Sequence, residues 1–449
     1  MPICCLFRQP YRQGHLTGER ANRPTNRENT MHHFQYHHDE LFCEDVAVRE
    51  IAATVGTPFY LYSRATLERH FRAFDGAFAN TDRLVCFSAK ANASLAILTL
   101  LNRLGSGLDI VSGGELFRGL KAGIAPGKIV YSGVGKKSDE IDFALQSGIL
   151  MFNIESLDEL DLIDRRAGEL GLKAPIAIRV NPDVDPKTHP YISTGLKKNK
   201  FGIDVVTALE AYKAARALEN VAVVGIDCHI GSQITDLKPF ADALESLKTL
   251  MHDLKSLGID IRYLDMGGGL GITYDQELPP APDEYARAIV TALKDLPVKL
   301  ILEPGRVIVG NAGILITRAL YRKMGTEKNF VVVDAGMNDL LRPTLYQAFH
   351  AIQPVVLKTD QKLTADVVGP ICETSDFLAR DREMVDVRNG DLLAVMSTGA
   401  YGFSMSSNYC SRARVAEVMV SEDRFYVIRA RQDYEDLVVG ETVPPFLEE

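Results

Sequence analysis

No apolar run in the 449 residues approaches the ~20 that a membrane helix requires. There is no basic excess either. The formal net charge is −9, which argues against a nucleic-acid partner, because phosphate binding wants clustered Lys and Arg. No C-x-x-C pair occurs. The seven cysteines (Cys4, Cys5, Cys43, Cys86, Cys228, Cys372 and Cys410) are odd in number and scattered. That pattern excludes a disulfide framework and a zinc site, and it fits a reducing cytoplasm. His32, His33, His37 and His38 crowd together without an ordered ligand set, so no metal is expected. The first thirty residues lack a secretory h-region of about 7–15 apolar residues. They also lack the Ser content and amphipathic repeat of a transit peptide. Residues 1–30 read as a disordered or non-native extension, with Met31 as a natural start.

What is present is ordinary for a globular protein: 46% hydrophobic and 24% charged residues. The length suggests two or three domains, with a core large enough to need no disulfides. Pro58–Tyr62 reads as a strand, and a helix follows over Arg64–Ala79. Eight short β-rich runs then alternate with helical stretches. They are Leu84–Ser88, Gly107–Val111, Ile129–Ser132, Ile149–Ile154, Ile176–Val180, Val223–His229, Tyr263–Met266 and Leu300–Glu303. Helical patterns cover Ser94–Leu104, Gly114–Ala122, Ser156–Leu170, Ala208–Leu218, Phe240–Leu257 and Asp283–Leu293. Continuous apolar strands alternating with helices imply parallel strands covered on the outer face. Eight such units favour a closed (β/α)8 barrel over an open doubly wound sheet.

After about Ala312 the texture changes. Phe330–Asp334, Val355–Leu357, Ala365–Val368, Asp391–Met396, Ala413–Val420 and Arg424–Arg429 read as strands of a C-terminal all-β domain. The expected division is a barrel over 64–312 and a β-domain built jointly from 31–63 and 313–449.

In a barrel of this kind the chemistry sits where strands finish. Nearly every predicted strand here ends in groups able to bond a ligand. Lys90 follows the first strand; it either snorkels to the surface or reacts, since a buried unpartnered lysine is costly and desolvation makes its amine nucleophilic. Gly267-Gly-Gly269 follows the seventh strand, and successive glycines let backbone N–H groups approach a phosphate. Glu303-Pro-Gly305-Arg306 ends the eighth. Glu303 either pairs with Arg306 structurally or keeps a pyridine nitrogen protonated, and Arg306 can grip an anion as a fork. His229 ends the sixth strand, as a core histidine or as a ring stacked on a flat cofactor. The long connection 181–204, with His189, Lys197, Lys198 and Lys200, reads either as a surface excursion or as a lid that meets an anion.

These stretches together resemble the barrel-type pyridoxal-phosphate decarboxylases, within them those acting on diaminopimelate. The resemblance runs from about Met31 to the C-terminus. It is carried by FSAKAN (87–92), DIVSGGEL (109–116), the long 179–203 segment, CHIGSQ (228–233), DMGGGLGI (265–272), EPGR (303–306), DAGMNDLLRPTLY (334–346), GPICETSDFLARDR (369–382) and GAYGFSMSSNY (399–409). The resemblance implies that Lys90 holds pyridoxal 5′-phosphate as a Schiff base, His229 stacks on its ring and Glu303 pairs with its nitrogen. Ser232, Gly268, Gly269, Gly305 and Arg306 would cradle the phosphate, with a hydroxyl from Tyr401. Arg306, Arg342, Tyr346 and Tyr401 would bind the distal end of meso-2,6-diaminopimelate. Cys372 would be the proton donor and Glu373 the partner of the distal ammonium, both reaching the site of a second subunit in a homodimer. The implied products are L-lysine and carbon dioxide. The pattern departs from the family at Cys410, where Asn is usual, and at Ala413, where Pro is common. Decarboxylases of ornithine, arginine or carboxynorspermidine are the nearest rivals, and their substrates lack the distal carboxylate. A non-catalytic homologue would tolerate loss of Lys90 or Cys372, and an alanine racemase would face the ring nitrogen with Arg.

Overall fold

The computed structural model describes residues 31–185, 194, 199–294 and 296–447. Eight parallel strands form a closed ring: Arg83–Ser88, Gly107–Ile110, Ile129–Tyr131, Met151–Ile154, Ala174–Asn181, Val221–Asp227, Tyr263–Asp265 and Lys299–Leu302. The last pairs with the first through Leu302↔Val85, which closes the barrel. The expected (β/α)8 architecture is therefore present, each strand lying within a few residues of its predicted run. The sixth differs in a way that matters, because it stops at Asp227 and leaves His229 two residues beyond it.

The strands are apolar on both faces for a physical reason. One face meets the surrounding helices. The other meets the barrel interior, where Cys86, Val130, Met151, Ala177, Val224 and Ile301 pack as one small cluster. Helices Leu95–Arg103, Gly113–Lys121, Leu157–Glu169, Val205–Ala217, Lys238–Ser256 and Pro282–Leu293 match the predicted patterns. Helix Ser138–Ser147 was not anticipated. Helix Arg64–Ala77 precedes the first barrel strand and is capped by Ser63 Oγ, which accepts from Thr66 N–H at 3.1 Å.

A second, mostly antiparallel sheet follows the barrel in sequence. Its spine is the twelve-residue strand Gly313–Met324, which the sequence reading omitted. This strand pairs with Phe59–Ser63, with Leu392–Val395 and with Asn329–Val333. Strand Phe377–Val385 was also missed and forms one edge of the sheet. The predicted strand Val355–Leu357 is displaced to Ile352–Pro354, while residues 355–357 bond instead to the Asp39–Leu41 backbone. The strand expected at Ala413 begins at Ala416.

Strand Phe59–Ser63 joins the two bodies. It sits between Gly313–Met324 and Ala416–Ser421, and all five of its residues are buried. Phe59 and Leu61 enter the core of the second sheet, whereas Tyr60 and Tyr62 face the barrel-side core. Each fully buried side chain of this size is worth about 1.5–3 kcal/mol. The strand therefore fixes where the second sheet sits over the barrel mouth. Of the expected lid residues, His189, Lys197 and Lys198 lie outside the described residues. Lys200 is exposed, with its ammonium over the Phe201 ring.

Candidate active site

A cavity of about 780 Å³ opens at the C-terminal ends of the barrel strands. Lys90, His229, Ser232, Gly269, Glu303, Gly305 and Arg306 reach it from the barrel. Arg342, Tyr346 and Tyr401 reach it from the chain that follows. Ten predicted positions thus converge, although they span more than three hundred residues. Thr194 joins the wall from the long connection and donates its hydroxyl to His229 O at 2.8 Å.

The floor is acidic. Lys90 Nζ donates to Asp109 Oδ2 at 2.6 Å, and the lysine side chain is 34% exposed, as an amine facing an open cavity must be. Burial alone would lower its pKa, but Asp109, then Glu303, outweigh it and lift Lys90 above the ordinary lysine range. Asp109 also accepts from Ser88 Oγ at 2.7 Å. Below lie Asp227, Asp265 and Glu303, whose oxygens fall within 4.8 Å of one another in the dry interior. Three carboxylates so placed cannot all be charged. Burial, reinforced by neighbouring carboxylates, raises Glu303 and Asp227 well above the carboxylate range. Burial, with Asp109 nearby, pushes Asp265 up to about 6. The trio's spacing would suit a cation as well as a shared proton. Arg179 already supplies positive charge there, with Nε 3.8 Å from Asp227 Oδ2 and Nη1 2.8 Å from Glu155 Oε1.

One wall is set by His229 and the glycine turn. Gly268 N–H donates to His229 Nδ1 at 3.1 Å, which leaves that nitrogen unprotonated and makes the neutral ring an Nε2–H tautomer. Burial, then Arg179, drives the imidazole pKa well down, in keeping with that neutral form. A Cβ at Gly268 would stand 2.1 Å from Glu303 O, and one at Gly269 (φ +115°) 2.5 Å from Gly231 O. Only glycine allows this backbone approach. Gly268 does not itself line the cavity; it acts through its N–H.

The opposite rim is basic. Arg306 donates from Nη2 to Ser232 Oγ at 2.9 Å and from Nη1 to Tyr274 Oη at 3.0 Å. Its Nε is buried with no partner. Arg342 Nη1 lies 2.8 Å from His350 Nε2. Neither arginine forms an ion pair among the described residues, so the expected alternative of a structural Glu303–Arg306 pair is not what the structure contains. Asp275 and Glu277 line the same cavity, and Glu277 feels the Arg342 charge, but neither is bonded to a guanidinium. Two buried guanidiniums not ion-paired with a carboxylate leave a seat for an anion. Tyr401 stands at the same rim with φ +56°, an uncommon conformation for tyrosine, held by its N–H to Ala91 O at 2.9 Å.

Cys372 and Glu373 do not line this cavity. Both are exposed, and Glu373 accepts hydrogen bonds from Tyr409 Oη and from Ser375 Oγ. Tyr274 also lines the cavity, and Asp109, Arg179, Asp265 and His350 stand behind its lining; sequence reasoning gave them no individual role beyond marking Arg179 as a strand-end group able to bond a ligand. Asp109, Arg179 and Asp265 stood inside quoted motifs; for Asp109, its place near the end of the strand beside the one that leads to Lys90 was the available signal.

Comparison with known proteins agrees with this geometry. The family model described as pyridoxal-dependent decarboxylase, pyridoxal binding domain, matches residues 64–310. The diaminopimelate decarboxylase of Vibrio cholerae is 53% identical over 417 residues, covering 92% of this chain and 100% of that protein. That of Aquifex aeolicus is 52% identical over 407 residues, covering 90% and 96%. Among solved structures, diaminopimelate decarboxylase from Helicobacter pylori complexed with L-lysine is 46% identical with a TM-score of 0.84, covering 87% of this chain and 98% of that one. The M. jannaschii enzyme in co-complex with L-lysine is 40% identical with a TM-score of 0.88, covering 92% and 98%.

Proposed function

The chain belongs to the diaminopimelate decarboxylase family of pyridoxal-dependent decarboxylases, and from that premise we propose the residue roles by which it converts meso-2,6-diaminopimelate to L-lysine and carbon dioxide. Family membership carries the reaction and its cofactor, pyridoxal 5′-phosphate. One observation carries the roles: a single cavity joins the Lys90 amine and an acidic floor to a rim of two arginines that are bonded to no carboxylate among the described residues.

The residues present fit the cofactor. The glycine turn has no room for side chains, Arg306 Nε is an orphaned buried donor, and Glu303 is a buried acid at the cavity. Lys90 would hold the aldehyde carbon. Ser232, Gly268, Gly269, Gly305 and Arg306 would surround the phosphate, with Tyr401 adding its hydroxyl. Bound there, pyridoxal phosphate supplies a protonated aromatic ring that accepts the electron pair released as the carboxylate leaves. Glu303 would hold a proton at the ring nitrogen, which its raised affinity for protons supports. His229, neutral and flat, would cover one ring face. Asp109 would take up the charge of Lys90 whenever that amine is free and protonated.

At the other end, Arg306, Arg342 and Tyr346 would bind the carboxylate that does not react. Cys372 and Glu373 are exposed on their own chain, which supports their use across a homodimer interface. There the partner subunit's Glu373 would receive the distal ammonium, and the partner subunit's Cys372 would return a proton to the carbon that lost its carboxylate. We further assign 64–312 to the cofactor-binding barrel and 31–63 with 313–449 to the β-domain. A cytoplasmic site of action is supported by five free cysteines among the described residues.

The test is a substrate panel with added pyridoxal phosphate. Lysine should form from meso-diaminopimelate, with no comparable turnover of ornithine or arginine. Equal kcat/KM for ornithine would overturn the assignment of the two arginines to a distal carboxylate.

A further inference from the structure

The arginine rim is held in an unusual way. Buried cations are ordinarily paired with carboxylates. Here the groups that bond the two guanidiniums are neutral, although Glu277 on the same cavity wall lies within electrostatic reach of Arg342. Tyr274 offers its hydroxyl oxygen to Arg306 Nη1 at 3.0 Å and its ring face to Arg342, whose guanidinium carbon is 4.4 Å from the ring centroid. His350 is fully buried behind them, edge-on to Tyr274 with ring centroids 5.4 Å apart. Its Nδ1 lies 2.8 Å from Met396 O and its Nε2 2.8 Å from Arg342 Nη1. A carbonyl only accepts and a guanidinium only donates. His350 is thereby fixed as the neutral Nδ1–H tautomer, with Nε2 accepting from Arg342. Burial, then the Arg342 charge, lower its pKa to about 3, in agreement with that state.

Tyr274 is itself stapled in place. The Glu277 carboxylate accepts from the backbone N–H of Tyr274 at 2.9 Å and of Asp275 at 2.7 Å, and Thr273 Oγ1 donates to Glu277 O at 2.9 Å. The chain carrying His350 is held by Arg382 Nη1, which donates to His350 O at 2.7 Å.

We infer that Tyr274 and His350 are positioning residues that orient Arg306 and Arg342 without neutralising them, so that the pair keeps its positive charge for the carboxylate of the substrate that is not removed. A carboxylate at either position would orient an arginine equally well, but it would cancel the charge the substrate must meet. The ring face and the two acceptor atoms align both guanidiniums while adding no formal negative charge. The inference rests on the assignment of that carboxylate to Arg306 and Arg342.

The experiment uses the holoenzyme with His350→Ala, His350→Gln, Tyr274→Phe and Arg342→Ala. The product L-lysine keeps the unreacted carboxylate, whereas 1,5-diaminopentane has none, so each serves as a competitive inhibitor. His350→Ala should raise KM for meso-diaminopimelate and the inhibition constant of L-lysine about tenfold, by loss of one hydrogen bond to a charged group, and leave kcat and inhibition by 1,5-diaminopentane little changed. His350→Gln, which can accept from Arg342 and donate to Met396 O, should restore most of the loss. Tyr274→Phe keeps the ring face and should give a smaller rise, about threefold. Should His350→Ala fail to fold, the Gln and Phe variants carry the test. If Arg342→Ala weakens L-lysine but His350→Ala does not, the inference is overturned and the carboxylate assignment stands. If Arg342→Ala itself leaves KM and L-lysine inhibition unchanged, the assignment beneath it falls. Equal weakening of both inhibitors would mark a general structural effect and also overturn the inference.

Discussion

The two ends of the cavity are built from opposite materials. At the floor, Asp109, Asp227, Asp265 and Glu303 face the cations Lys90 and Arg179. At the rim, Arg306 and Arg342 face tyrosines and a neutral histidine. The floor has too many acids for its cations, and the rim has two cations bonded to no acid, although Asp275 and Glu277 line the same cavity. Each is an incomplete ion set, and desolvation makes incompleteness expensive. A ligand that is cationic at one end and anionic at the other relieves both. A protonated pyridine ring supplies the first need, and phosphate and carboxylate groups supply the second. Charge separation across one cavity is thus the physical basis for holding cofactor and substrate in a single orientation.

The comparison breaks most completely at Lys90. Lys90→Ala removes both the tether and one of the floor's two cations. Turnover should fall by at least ~10³-fold, because a bond to the cofactor is replaced by loose association. The visible absorbance of the lysine-bound cofactor should vanish after gel filtration. Retention of that band and of full activity would remove Lys90 from its role.

That lysine was legible in the sequence because the barrel is. Runs such as Leu84–Ser88 and Leu300–Glu303 are continuously apolar, so strand ends, and the polar residues placed on them, could be marked. Strand Gly313–Met324 was not legible, since its later part, Thr317–Met324, mixes buried Ala319 with exposed Tyr321 and basic Arg322 and Lys323. Strand Phe377–Val385 carries Arg380, Asp381 and Arg382 in its middle and is interrupted by register shifts. The acids of the floor were hidden for a different reason. Asp109, Asp227 and Asp265 lie within or at the ends of strands, and the side a residue faces in a closed barrel is set by shear, which a run of letters does not display. Tyr274 and His350 needed the folded chain, because their partners Arg306 and Arg342 lie 32 and 8 residues away, each at the start of a short helix.

The next test asks whether one chain holds both ends by itself. Lys90→Ala and Cys372→Ala are each expected to be inactive. If Cys372 serves a neighbour, mixing and reassociating the two should create heterodimers with one intact site. Activity should then return to about a quarter of the parent value, since half of randomly paired dimers are mixed and each has one of two sites intact. No recovery, with exchange verified by a tag on one chain, would place Cys372 in its own chain's chemistry or outside it.

A subtler change alters the floor without emptying it. Glu303→Gln keeps shape and hydrogen bonding but cannot hold a proton at a ring nitrogen. It should lower kcat by about 10²-fold, in the range of a lost proton-holding group, and change KM far less. The bound cofactor's absorbance should become more pH-dependent as its nitrogen loses its proton more readily. An unchanged kcat would show that the floor's acids do not act on the ring.

The smallest effect is on stability, and it has opposite signs at the two ends. His350 has a folded pKa of about 3 against an ordinary 6.5. It contributes stability above pH 6.5 that is lost as pH falls toward 3, because the unfolded chain binds the extra proton. Asp265 has a folded pKa of about 6 against 3.8. Its contribution is present below pH 3.8 and lost as pH rises through 6, because here the folded chain binds the proton. Between pH 4 and 6 the two slopes oppose each other. Relative to the parent, His350→Gln should therefore gain stability as pH falls from 6.5, and Asp265→Asn should gain it as pH rises from 4. Each difference should be at most about 1.4 kcal/mol per pH unit. Urea unfolding at pH 4.5, 5.5 and 6.5 measures both. Variants whose differences from the parent run in the same direction would mean that the floor and the rim do not store protons in the opposed manner their structures require.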